Sequence, residues 1–358
     1  MLDDLKENWY NVTIKSEYLV RRELFMKRWI CVQTWIICSL LLGLLTACGS
    51  PEELPVVNDV GFEDEYVIEN VIIEDEAVAL AEAPAAIPDV IAAVMKDVEA
   101  SGTLVKSNDK AIIDYSNTKD GYIMVNYGAE TTRRLKVQVK GPATTYTYDL
   151  LPGQWEVFPL TEGNGSYQTF VYENVSGTRY SVLVSAKFQV TLENEFMPFL
   201  QPSQYVDYSS APNTVAKAAE VVQDKTKTLD KVKAVYDFVI NHLNYDNQLA
   251  ATVQSGYVPD LDAVLEKKTG ICFDYAAMMT GMLRSQGIPC KMVFGYVGTA
   301  YHAWISVWSE ENGWVDTIYF DGTSWSKMDP TFASGAVHSG VNSKDAYKGM
   351  VYTSKYQY

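Results

Sequence analysis

Gly270-Ile271-Cys272-Phe273-Asp274-Tyr275-Ala276 bears most directly on how this chain folds. Downstream of it, Ala276, Met279 and Leu283, with Met278 and Met282, recur at helical spacing, which predicts a helix over residues 272–286. Gly287 and Pro289 are stop signals, and Gly270 allows a tight entry. Cys272 is therefore expected at the helix N-terminus, where free amides and the helix dipole favour a thiolate. A buried structural cysteine is the commoner fate of a free thiol, so this segment alone leaves both readings open. Asp274, in the first turn, reads as a structural or dipole-compensating residue, because its charge opposes thiolate formation.

Residues 302–308 (HAWISVW) alternate as a strand, with Ala303, Ile305 and Val307 on one face and His302, Trp304, Ser306 and Trp308 on the other. An imidazole at one end of that strand can point into a cleft. Asn312-Gly313 predicts a hairpin turn, residues 313–320 a returning strand, Asp321-Gly322 another turn, and residues 325–329 a third strand. Antiparallel neighbours of this kind can bring Asp329 beside His302. Asp316 is the competing carboxylate. The chain has 3 histidines; His242 falls in a helix and His338 in a Gly/Ser-rich tail, and both read as surface residues. A thiol, an imidazole and a carboxylate supply the nucleophile, base and orienter of cysteine-based acyl transfer.

The blocks GICFDYA, YHAWISVW and WSKMDPTF, in this order, resemble those of the transglutaminase-like superfamily, over residues 210–334. The resemblance implies an α+β, papain-related fold: N-terminal helices, then a nucleophile helix packed on an antiparallel sheet. It implies Cys272 as nucleophile, His302 as base and Asp329 as its partner. An extra strand over residues 314–320 departs from the family pattern. The family's oxyanion site uses the nucleophile's own amide and an upstream side chain. Tyr245, in Asn244-Tyr245-Asp246, is the candidate; a half-buried aromatic after a helix is its other reading.

The chain's 358 residues, 47% of them apolar, are enough for two modest domains. A net charge of −16 argues against nucleic acid or an anionic membrane face as partner. No dinucleotide fingerprint, phosphate-cradling loop or Cys-x-x-Cys pair calls for a cofactor or a metal. Cys31, Cys38 and Cys48 lie in or beside an N-terminal leader, leaving Cys272 and Cys290 in the body, Cys290 as a small core residue.

Lys27-Arg28, the largely apolar residues 29–45 and Leu45-Thr46-Ala47-Cys48 read as a signal peptide that resembles a bacterial lipobox, with Cys48 as the lipidated residue. An uncleaved membrane anchor is the alternative. Residues 1–25 fit no leader, and Met26 makes a better start; a twin-arginine signal at Arg21-Arg22 is the rival view. Either leader places the body outside the cytoplasm. Residues 49–104 are acidic and Pro/Ala-rich, expected as an extended tether with one short helix near residues 89–100.

Over residues 105–205 the period changes to two. Leu135, Val137 and Val139 alternate with polar residues, as do Val182, Val184, Ala186, Phe188 and Val190, which predicts an immunoglobulin-like β-sandwich. Tyr146, Tyr148, Trp155 and Tyr172 fit core packing better than a ligand platform. Residues 206–358 form the expected catalytic domain. Its helices are predicted over residues 213–223, 229–243 (N-capped by Thr228, with Val232, Val235, Val239 and Leu243 as the apolar stripe) and 261–267.

These readings converge on an extracytoplasmic lipoprotein that attacks amide carbonyls of protein or peptide substrates, cell-wall peptides among them, through a thioester. The alternative is a binding or structural surface protein with a vestigial triad.

Overall fold

The computed structural model describes residues 57–58, 98–310, 312–316, 319–320, 325–326, 329–339 and 351–358. The leader with Met26 and Cys48, and the acidic stretch apart from residues 57–58 and 98–104, lie outside the described residues; so does the helix expected near residue 89, except that residues 98–100 carry no regular structure. The described residues form one compact unit.

The N-terminal half is sheet-rich. Strands β1 (Val57–Asn58), β5 (Leu135–Lys140), β6 (Thr145–Leu150), β8 (Gly165–Ser176) and β9 (Arg179–Val190) make one antiparallel sheet in the order β1-β9-β8-β5-β6. Strands β2 (Val105–Ser107), β3 (Ala111–Asp114), β4 (Tyr122–Tyr127) and β7 (Trp155–Pro159) make a second, in the order β2-β3-β4-β7. Period-two alternation sets the buried faces: Leu135, Val137 and Val139 are buried while Lys136 and Gln138 lie between them, half-buried. Val182 departs from its pattern at 39% exposure, because a bulge between β8 and β9 pairs Val184 with Val171 and Val182 with Tyr172, leaving Leu183 as the extra residue. Tyr146, Tyr148 and Tyr172 are buried, as core packing requires, whereas Trp155 is exposed.

Helices follow: α1 (Pro212–Val222), α2 (Thr228–His242), then β10 (Asn244–Tyr245), α3 (Asn247–Thr252), α4 (Leu261–Lys267), β11 (Thr269–Gly270) and α5 (Cys272–Ser285). In α2 the stripe Val232, Val235 and Val239, continued by Leu243, is fully buried. Each such side chain contributes about 1.5–3 kcal/mol of burial. Thr228 is the first helical residue rather than the cap. Lys227 holds the cap position, and its carbonyl accepts the Lys231 amide at 3.1 Å, so the helix starts one residue before the predicted cap allows.

Helix α5 packs on a four-stranded sheet in the order β14-β13-β12-β17, built from β12 (Cys290–Val297), β13 (Ala300–Ser309), β14 (Gly313–Asp316) and the C-terminal β17 (Tyr352–Gln357). Flanked by β12 and β14 and covered by α5, β13 is buried from His302 through Val307. The single strand expected over residues 313–320 is two: β14 ends at Asp316, and β15 (Tyr319–Phe320) pairs with β16 (Trp325–Ser326) in a separate ribbon. The third strand expected over residues 325–329 stops at Ser326. Asp329 instead immediately precedes helix α6 (Pro330–Ser339), which also takes in His338 in place of the expected tail. Pro330 at the first helical position has no N–H to leave unpaired, and Asp329 before it has the side chain of a cap.

Arg284 fastens the nucleophile helix to its surroundings. Its side chain is fully buried, and Nε, Nη1 and Nη2 donate to the main-chain oxygens of Cys290, Gln201 and Tyr358 at 2.9, 2.9 and 2.8 Å. Burial pulls its pKa down to about 10.

Candidate active site

Cys272 is the first residue of α5 and is half-buried. The turn that presents it is held by Asp274, whose carboxylate is fully buried and accepts the Ile271 N–H at 2.7 Å and the Tyr257 hydroxyl at 2.6 Å. Burial raises the Asp274 pKa, and these two hydrogen bonds oppose the rise. The structural reading of Asp274 is thereby given a mechanism. Gly270 is part of the same device: a Cβ there would lie 2.6 Å from Asp274 Cβ and 2.9 Å from its Oδ2.

His302 sits on β13 opposite Gly295 of β12. Its Nε2 is hydrogen-bonded to Asp329 Oδ2, and the Cys272 side chain lies close enough to the ring to raise its pKa. With Nε2 committed to the carboxylate, Nδ1 is the nitrogen left for sulfur. Burial alone would lower the imidazole's pKa, but the hydrogen bond to Asp329, the Cys272 side chain and the charges of both raise it to about 10. The imidazole is thus held as an imidazolium beside the thiol. The Phe332 ring packs 5.1 Å from the His302 ring.

Asp329 is fully buried. Its Oδ1 accepts the Thr331 amide at 2.9 Å and the Phe332 amide at 3.4 Å, and its carbonyl accepts the Ala333 amide at 3.0 Å, the pattern of a helix N-cap. Its Oδ2 also accepts the Tyr352 hydroxyl at 3.2 Å. The fold therefore brings Cys272, His302 and Asp329 together, with His302 hydrogen-bonded to Asp329 and Cys272 beside the imidazole. Asp316 lies on β14 opposite Ser306, four residues along β13 from His302.

Tyr245 pairs in parallel register with Gly270, two residues before Cys272, and lines the same cleft as the thiol. Burial raises its pKa, as do the nearby Cys272, Asp329 and Asp274. Its hydroxyl is thereby kept protonated, as a hydrogen-bond donor must be. Cys290 is fully buried at the start of β12, and burial pushes its thiol up to about 12. His242 stacks on Phe238 and its Nε2 contacts the Leu265 carbonyl oxygen at 2.8 Å, away from this group. Among the described residues no group of three or more His, Cys, Asp or Glu side chains is placed to hold a metal ion.

The cleft in front of Cys272 has a volume of about 500 Å³. Sequence reasoning missed Tyr352, Tyr257 and the contribution of β5 and β6 to this cleft. The alternation of Tyr352, Tyr356 and Tyr358 carries a strand signal; the meeting of β5 and β6 with Cys272 carries none within either segment.

A thiol at a helix N-terminus, an imidazolium against it and a buried carboxylate behind form an arrangement suited to thiolate attack on a carbonyl. Residues 215–330 match the model of the transglutaminase-like superfamily, and this part of the chain is a transglutaminase-like domain. The chain is similar to the uncharacterized protein YebA of Bacillus subtilis, 24% identical over 216 residues that cover 54% of this chain and 28% of that protein. It is also similar to the kyphoscoliosis peptidase of Mus musculus, 28% identical over 121 residues covering 33% of this chain and 18% of that protein. The chain thus spans less than a third of the length of either relative. Among solved structures, red sea bream transglutaminase aligns at 11% identity and a TM-score of 0.25, covering 54% of this chain and 47% of that one.

Proposed function

We propose that this protein is a cell-surface lipoprotein whose transglutaminase-like domain transfers acyl groups from amide bonds of protein or peptide substrates through a thioester on Cys272. The observation that carries the proposal is the grouping of Cys272, which lines a cleft, with His302 and its hydrogen-bonded partner Asp329.

In the proposed reaction the Cys272 thiolate attacks the amide carbonyl carbon. The resulting oxyanion takes hydrogen bonds from the Cys272 amide and Tyr245. The intermediate collapses as the imidazolium of His302 protonates the leaving amine, and a thioester remains. An acceptor amine or water then attacks the thioester and gives its proton to His302, and the thiol is released. An amine yields a crosslink; water yields deamidation or peptide cleavage. Asp329 keeps Nε2 engaged and so holds the imidazole in the orientation both steps need.

The test is to incubate the protein with a library of glutamine-containing peptides and look for a thioester on Cys272 by mass spectrometry. A peptide-sized adduct on Cys272 that is absent from Cys272→Ala supports the reading; its absence across the library refutes it. The anchor is tested separately in a bacterial host. The mature chain should begin at a lipidated Cys48, and Cys48→Ala should no longer partition into detergent. An unmodified N-terminus upstream of residue 48 would refute the anchor without touching the chemistry.

A further inference from the structure

The cleft in front of Cys272 is not built by the transglutaminase-like segment alone. Lys136 of β5, with Thr147 and Asp149 of β6, lines it together with Cys272. Gln204 fastens that wall to the segment leading into the helices, its Nε2 donating to the Asp149 carbonyl at 2.5 Å. Gly256 adopts a left-handed φ of 88° in the loop after α3, and a Cβ there would stand 3.2 Å from Asp149 Oδ2. Loop and strand are thus in contact across the cleft.

The chemistry of the lining is uneven. Among the described lining residues, Lys136 and Asp149 are the only Lys, Arg, Asp or Glu side chains. They face each other as cross-strand partners, Nζ and Oδ1 3.7 Å apart, and Lys136 also lies 5.9 Å from the centre of the Tyr180 ring. Their charges cancel, so the wall offers no net counter-charge. Most of the large side chains elsewhere are rings, among them Tyr205, Tyr257, Phe273, Phe294 and Tyr301. Several already meet edge to face, as Phe273 does with Phe294 at 5.0 Å and with Tyr205 at 5.3 Å. Such surfaces take another ring or a large aliphatic group well. A charged group placed against them loses water and gains no partner.

We infer that this cleft admits to Cys272 an uncharged carbonyl compound flanked by an aromatic or large aliphatic group, and that the Lys136–Asp149 pair of the sheet-rich half sets this preference by cancelling charge at the wall. Calling that compound the acyl donor rests on the function proposed above. A cell-wall stem peptide bearing several carboxylates is disfavoured.

The test reads the cleft without requiring turnover. The full chain is alkylated with three chloroacetamides, one carrying a benzyl group, one an aspartate and one a guanidinium-ended chain. Rates at Cys272 are followed by mass spectrometry and normalised to those of a small free thiol. The benzyl reagent should react at least about tenfold faster than either charged one, a difference of about 1.4 kcal/mol. Lys136→Gln leaves Asp149 unbalanced and should speed the cationic reagent about twofold to fivefold, while Asp149→Asn should do the same for the anionic one, as expected for a partly exposed pair. Equal normalised rates in the wild type overturn the inference. So does a faster anionic reagent, which would favour a carboxylate-bearing donor, or a shift of both variants in the same direction. If alkylation shows the preference while no glutamine peptide acylates Cys272, the cleft's selectivity stands and acyl transfer falls.

Discussion

Asp329 divides its two carboxylate oxygens between two tasks: Oδ2 is hydrogen-bonded to His302 Nε2, and Oδ1 accepts the amides that begin helix α6. One residue thus fixes the imidazole and the helix that walls it. The arrangement predicts that the two tasks separate by substitution. Asp329→Asn keeps an oxygen for the cap, whereas Asp329→Ala also loses a cap contribution of about 0.5–2 kcal/mol. Both should lower the acylation rate by about a hundredfold to ten-thousandfold, but only the alanine variant should unfold measurably earlier in urea. Full activity in a folded Asp329→Asn, with Asp316→Ala folded but dead, would make Asp316 the orienter.

The pH dependence of acylation should carry the same signature. Burial lowers the His302 pKa, and Asp329 and Cys272 lift it to about 10. An imidazolium is needed to protonate the leaving amine, so the wild-type rate should fall only as pH rises through about 10. In Asp329→Asn the largest upward influence is gone and burial prevails. The alkaline limb should then move down by about one pH unit or more. Stopped-flow acylation across pH checks this; an unmoved limb would sink it.

Stability should titrate with the same group. The folded-state pKa of His302 lies above its ordinary value of 6.5. The folded state therefore binds the proton more tightly than the unfolded chain. The stabilisation from His302 is fully present below about pH 6.5 and is lost as pH rises through about 10. The difference in unfolding free energy between wild type and His302→Gln should shrink over that window. A difference that grows with pH would contradict the assignment.

The nucleophile helix and the imidazole strand were legible because each rests on a local pattern. Ala276, Met279 and Leu283 recur at helical spacing and are buried, and residues 302–308 alternate in sequence between small or aliphatic and His, Trp or Ser side chains. The apolar stripe of α2 and the alternation of β5 were legible for the same reason. The position of Asp329 was not. The Asp-Pro-Thr run carries a helix-start signal, but the strand expected after the Asp321-Gly322 turn runs over the same aspartate, and the two local signals conflict there. Tyr352 and Lys136 were illegible for another reason. They reach the site through β17 and β5, and no sequence spacing encodes which distant edge closes a cleft.

Asp274 is expected to act on folding more than on chemistry. It is buried, supplies the oxygens for Ile271 N–H and Tyr257 OH, and touches neither His302 nor Asp329 of the hydrogen-bonded pair. Asp274→Ala leaves a buried amide without its partner and should cost about 1–3 kcal/mol. Gly270→Ala should cost a similar amount by pushing a Cβ to 2.6 Å from Asp274 Cβ. Urea titrations of both variants check this. A variant that keeps wild-type stability but loses all acylation would assign Asp274 to the chemistry instead.

Arg284 should be among the costliest positions outside the site. Its guanidinium donates to main-chain oxygens of Gln201, Cys290 and Tyr358, the last of which also accepts the Met292 amide at 2.8 Å. Arg284→Met fills similar volume but leaves three oxygens without this donor, a loss of about 2–5 kcal/mol. Thermal unfolding checks it, and a shift of less than a degree would show the oxygens are satisfied otherwise.

The two described thiols should differ most in reactivity. Cys272 is half-buried, starts a helix and lies beside the His302 imidazolium. Cys290 is fully buried, its thiol pushed up to about 12, its Sγ 3.6 Å from the Thr280 hydroxyl. Thiolate, not thiol, is the reacting form, so at neutral pH iodoacetamide should modify Cys272 at least about a thousandfold faster. His302→Ala removes the imidazolium and should slow Cys272 sharply while leaving Cys290 unchanged. Timed alkylation followed by peptide mass mapping resolves the two sites. Comparable rates at both cysteines in the native protein would mean that the helix N-terminus and His302 do not activate Cys272, and the proposed nucleophile would have to be abandoned.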